Sequence, residues 1–203
     1  VAATDGFSPA ATRFPDDAPT RECLVRFGEA QPFGSFGTYR FWMTQATVAR
    51  WSNRVPASNQ PLDGTFVNGS QRVIYNVGAY YSGSPFKTRN FNTPTGNPCD
   101  YNFRFPPDDP LLGARGLEVV YPGNVAGDDP TAQREQLAYW VARRLGLPFN
   151  ARRYVNLFVN GTRRGTILED TQVPNRDVVE ELFSDDAAGE LFKTAIWYDT
   201  DDV

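Results

Sequence analysis

Arg134, Glu135, Glu169 and Asp170 are the charged residues of this chain best placed to do chemistry, and all fall in one stretch of about forty residues. Leu137, Ala138, Val141 and Leu145 recur at helical spacing. At about 100° per residue, Arg134 projects into the middle of that apolar stripe and Glu135 falls near its edge. A guanidinium on an inward face must find partners, because an unpaired buried charge is very costly. Arg134 is therefore expected to be substantially buried. It is either a structural ion pair, a side chain reaching for the rim, or half of an ion pair carried into a cleft. Glu169 and Asp170 stand where a strand leaves a sheet, a position that suits either a cleft wall or a solvated turn. No histidine occurs anywhere. That excludes Ser-His-Asp and Cys-His catalysis and every His-ligated metal site, so any acid or base is a carboxylate or something less usual. No metal site is read from the acidic pairs. Asp108-Asp109, Asp128-Asp129 and Asp185-Asp186 suit caps or turns, and Asp199, Asp201 and Asp202 lack the glycine and terminal Glu of a calcium loop.

These side chains need a helix and a hairpin to position them. Asp129 is a good N-cap, Pro130 fits the first helical position, and Gly146 with Pro148 closes the helix. Tyr154 to Val159 reads as a strand, Asn160-Gly161 supplies a type I′ turn, and Arg163 to Leu168 returns. Upstream, Thr44 caps a short helix to Trp51. Val73–Tyr81, Tyr101–Phe105 and Leu117–Tyr121 read as strands. Asp177–Phe183 reads as a helix and Leu191–Tyr198 as a last strand. The pattern predicts an α+β fold in which the 130–145 helix packs on an antiparallel sheet that contains the 153–159 and 163–168 strands.

The chain has 203 residues, room for one sizeable core or one domain with an arm. Residues 1–22 read as an extended arm and 23–203 as a single domain. Net charge is −4, which argues against non-specific nucleic-acid binding, and no apolar run is long enough to span a membrane. Cys23 and Cys99 are either a disulfide tying the arm to the 99–105 strand in an oxidising compartment or two separate thiols.

The order REQLAYWVARRLGLP, RYVNLFVNGTRRG, LED and GELFK, with YNVGAYYSGSP and CDYNFRF upstream, resembles the CotH family of spore-coat protein kinases and their secreted relatives. The similarity spans about residues 40 to 193 and is strongest from 134 to 165. It implies the N-terminal lobe of an atypical kinase, with Arg104 holding nucleotide phosphates, Glu135 pairing with it, and Glu169 near the adenine. ATP and Mg²⁺ are the implied cofactors. The departures matter too, since Arg104 replaces a lysine and the family's catalytic aspartates belong to a segment with no counterpart here. The resemblance thus implies a domain of a secreted, cell-surface or spore-surface protein that is not catalytic by itself, with other proteins of a coat or surface assembly as partners. One alternative is the ATP-binding part of an active CotH-type kinase. Another is a carbohydrate-binding or structural module using Trp42, Trp51, Tyr80 and Tyr81 as surface aromatics.

Overall fold

The computed structural model describes residues 2–3, 12–13, 36–54, 58–70, 72–82, 100–122, 129 and 131–192. The chain divides into two units, Val1–Phe33 and Gly34–Val203. In the first, Ala2–Ala3 pairs antiparallel with Thr12–Arg13. The second holds all the other described residues. Cys23 and Cys99, and most of the expected strand at 191–198, lie outside the described residues.

Seven strands form a closed barrel. They are β1 (Gly37–Trp42), β2 (Leu62–Asn68), β3 (Arg72–Ser82), β4 (Asp100–Arg104), β5 (Gly116–Val120), β6 (Arg152–Val159) and β7 (Thr162–Gln172). Around the barrel the order is β1-β2-β3-β4-β5-β7-β6, and each of these neighbours is antiparallel. An odd number of alternating strands leaves the last pointing the same way as the first, so closure must be parallel. It is: Gly37–Phe41 of β1 pairs with Val155–Val159 of β6 in parallel register. Three helices, α1 (Gln45–Asn53), α2 (Arg134–Arg144) and α3 (Arg176–Leu182), lie in the connections or after the last strand.

Alternate residues of each strand fill the interior. Tyr39 and Phe41, Val77 and Ala79, Tyr101 and Phe103, and Val155, Leu157 and Val159 are all buried in one cluster. The rings meet edge-on: Phe103 lies 5.2 Å from Phe41 and 5.1 Å from Phe66, both near-perpendicular. Such contacts add to the area term that drives burial. Ile74 and Val77 are three apart yet both face inward. The register slips between Gly64 and Phe66 on the facing strand, and Asn76 takes a φ of 55°. That bulge restores the alternation. A larger slip divides β6 from β7 between Val155 and Leu157, and Gly165 lies there with φ of 59° against the Tyr121 ring. A Cβ at Gly165 would come within 2.7 Å of Tyr121 Cζ. Gly165→Ala is expected to cost about 2–3 kcal/mol, from the left-handed backbone and the displaced ring. Denaturant titration checks this; an unshifted midpoint would contradict it.

The α+β expectation, an antiparallel sheet with a packed helix like a kinase N-terminal lobe, is overturned by this barrel. The hairpins are antiparallel as read, and the 153–159 and 163–168 strands do pair. The parallel seam, however, turns the faces of the sheet into an inside and an outside. Inward side chains then fill most of the core, and the only helix with a residue in it among the described residues is α1, through Trp51. Trp51 and Tyr81, read as surface aromatics, are part of that core, 5.1 Å apart and perpendicular.

The helix α2 also departs from expectation. It begins at Arg134, four residues after Pro130, and none of its residues is buried. Its half-buried positions are Gln136, Tyr139 and Ala142, whereas Leu137, Trp140, Val141 and Leu145 are exposed. Arg134 is exposed too, so the expected buried guanidinium is not found. The reason lies in what α2 covers. The outer face of β6 and β7 presents Arg152 and Glu169, which need polar partners, so the helix turns its polar side toward the barrel and its apolar side away.

Candidate functional site

Strand alternation decides where the two adjacent carboxylates go. Leu168 faces the core, so Glu169 points outward and Asp170 inward. Both are buried, and they line neither one cleft nor a turn. Glu169 lies opposite Tyr154 on β6 and Val120 on β5, while Asp170 lies opposite Arg153 and Val119.

On the outside, Arg152 joins the helix to the barrel. Its Nη1 donates to Glu135 of α2 and, at 2.9 Å, to Glu169. The guanidinium also lies 4.6 Å from the centre of the Tyr139 ring. Burial pushes the Glu169 carboxyl above the usual carboxylate range, against the opposing pull of the Gln136 amide and Arg152; the charge of Glu135 adds to the rise. Tyr154 completes this surface, with its hydroxyl donating to the Ala132 carbonyl and its ring edge-on to Phe36 at 5.7 Å. Burial, then the charges of Glu169 and Asp129, push its phenol upward.

Asp129 organises the entry to α2 without being its N-cap, a position held by Gln133. Its carboxylate accepts from the Thr131 hydroxyl (2.6 Å), the Thr131 N–H (3.1 Å) and the Arg134 N–H (2.7 Å). The Thr131 hydroxyl, followed by the Arg134 N–H, holds this carboxyl below its ordinary range. Arg134 thus meets Asp129 through its backbone N–H, with its charge adding to the pull on that carboxyl, and not as the expected inward guanidinium.

A second polar group lies on the inward face, with Tyr39 and Asp170 buried and the Arg153 side chain half exposed. Asp170 accepts from the Tyr39 hydroxyl and from Arg153 Nε at 2.7 Å, and Arg153 Nη2 reaches the same hydroxyl at 2.5 Å. Burial, then the Asp170 charge, push the Tyr39 phenol far above its usual value. This group satisfies a buried carboxylate with two donors and seals the β6–β7 side of the core.

The residues tied to nucleotide by resemblance are therefore divided. Glu135 and Glu169 converge, but on Arg152. Arg104 is exposed on the outer face of β4, where its Nη2 contacts the Tyr80 hydroxyl at 3.2 Å and its guanidinium sits 5.1 Å from that ring's centre. Its register partner is Gly116, at one end of β5, whereas Glu169 pairs with Val120 at the other. Four strand steps along and two strands across put the two backbones about 16 Å apart. A cavity of about 300 Å³ exists beside α1, lined by Arg50, Arg54 and Leu62 among others, and Arg104, Glu135 and Glu169 do not border it. Arg54, in its wall, donates to the Ser58 and Gln60 carbonyls, each at 2.7 Å.

Sequence reasoning missed Arg152, Arg153, Tyr39 and Tyr139. A signal existed for the first. A two-residue Asn160-Gly161 turn sets Val159 opposite Thr162, and counting back from that pair brings Arg152 and Glu169 onto one face. No family model matches the chain, and no curated protein matches it.

Proposed function

We propose that this barrel is a CotH-like domain of a secreted or surface assembly, which binds other proteins and does not transfer phosphate by itself. The observation that supports this reading is the position of Arg152. Glu135, the glutamate that would orient a phosphate-holding cation, and Glu169, expected near the adenine, are both bonded to it, while Arg104 is engaged elsewhere with Tyr80. A phosphate would have to displace a buried carboxylate from Arg152, and phosphoryl transfer depends on positioning such groups around the nucleotide. The apolar ridge that α2 turns outward offers a surface for a protein partner instead.

The ATP-binding part of an active CotH-type kinase is the second reading, and one contact favours it. A strand cation bonded to a helix glutamate, as Arg152 is to Glu135, is the pairing that active protein kinases assemble. Calorimetric titration with ATP, with and without Mg²⁺, separates the two. The expected result is no saturable heat in either buffer. Mg²⁺-dependent binding that Glu135→Ala abolishes would overturn the first reading in favour of the second.

A further inference from the structure

Among the described residues, the exposed apolar side chains of α2 and those following α3 form two surfaces of opposite charge. The first is the α2 ridge, where Trp140 is 55 % and Leu145 is 68 % exposed, with Leu137 and Val141 beside them. Arg143 and Arg144 flank it. Their guanidinium groups lie over the Phe149 ring at 5.7 Å and the Trp140 ring at 5.2 Å, and neither forms an ion pair among the described residues. The one acid of this helix, Glu135, is taken by Arg152.

The second surface follows α3. Phe183 and Leu191 are each 48 % exposed and Phe192 is 84 % exposed. Asp185, Asp186 and Glu190 accompany them, and none of these carboxylates is in an ion pair among the described residues. The other acids of this region are occupied, Asp177 and Glu180 by Arg115 and Arg176, and Glu181 by Gln172.

We propose that the α2 ridge of one molecule docks on the α3 edge of a second copy, so that copies join head to tail. Each surface lacks what the other has. Exposed Trp and Arg are the residue types that dominate interface energies, and opposite charges at the rim favour encounter and fix register. The contact is heterologous, using two different patches, so it propagates into a chain or closes into a ring. A membrane surface suits the basic ridge but leaves the acidic apolar edge unexplained. This inference rests on the assembly reading above and names its partner.

The test is sedimentation velocity on the full chain over a concentration series at low and high salt. Wild-type protein is expected to self-associate in the micromolar range, less so at high salt. A ridge variant (Trp140→Ser, Arg143→Gln, Arg144→Gln) and an edge variant (Asp185→Lys, Asp186→Lys) are each expected to associate about a hundredfold more weakly. All five positions are exposed, so circular dichroism should show both variants folded. Mixing the two variants is decisive. One keeps the edge and the other the ridge, so the mixture is expected to form one-to-one dimers and nothing larger. Monomeric wild-type protein would overturn the proposal, as would association that the edge variant leaves unchanged, which signals a ridge-to-ridge contact. Binding to anionic phospholipid vesicles by a wild-type protein that stays monomeric would also overturn it. ATP binding in the earlier titration would overturn the assembly reading without altering these sedimentation results, so the two failures can be told apart.

Discussion

Arg152→Met is expected to lower stability by about 3–5 kcal/mol at neutral pH, the cost of leaving one buried carboxylate without its cation. Only 1 % of the Glu169 side chain and 10 % of the Arg152 side chain are exposed, so little water is available to compensate. The pH dependence distinguishes this from lost packing. Glu169 already titrates above its ordinary range because of burial. Between the ordinary and the raised value, the folded protein holds a proton that the unfolded chain has released. Stability therefore falls as pH rises through that window and recovers as pH falls. Removing Arg152 removes a pull that lowers the Glu169 value, so the window widens upward and the total fall grows. Urea titrations of wild type and variant at neutral and mildly acidic pH should show the deficit shrinking on acidification. Glu169→Gln in the Arg152→Met background should recover much of it. A deficit that stays constant with pH would mean that the guanidinium matters only for its packing on Tyr139.

The other large effect belongs to the interior. Phe103→Ala should cost about 3–5 kcal/mol, the range for deleting a fully buried aromatic ring. Phe103 is completely inaccessible, with Phe41 and Phe66 edge-on at 5.2 and 5.1 Å and Tyr101 stacked at 6.2 Å. A closed barrel cannot slide one layer inward to fill the gap without stretching the hydrogen bonds of its neighbours, so the cavity term should survive in full. Phe103→Leu should cost much less, since it keeps most of the volume. Equal losses for the two variants, measured by denaturant titration, would show that the barrel relaxes around the hole.

Local elements were legible because local rules produce them. Thr44 does cap α1 with its hydroxyl, accepting from the Thr47 N–H at 3.1 Å, and Asn160 and Gly161 take the positive φ values that a type I′ turn requires. Barrel closure was not legible. The Gly37–Phe41 and Val155–Val159 partners are far apart in sequence, and no turn between them sets the register. The two bulges were equally hidden, because Asn76 and Gly165 look like ordinary strand residues until a partner strand is specified. Helix α2 misled for a different reason. The usual rule for amphipathic helices makes its apolar stripe the inward face. Arg152 and Glu169 reverse that choice, and their convergence appears only once β6 and β7 are paired.

The parallel seam also bears on the order in which this barrel can assemble. Each antiparallel hairpin closes a short loop, whereas joining β1 to β6 closes one that runs from Gly37 to Val155, more than half the chain. Loop entropy disfavours that step until the intervening strands have shortened the effective distance. Until it occurs, β1 and β6 both carry open edges, and the nascent chain is an incomplete curved sheet able to pair with a neighbour's free strand. The seam that removes every edge from the finished barrel is thus the one whose delay leaves edges exposed longest, so the period of greatest aggregation risk ends only when β6 meets β1.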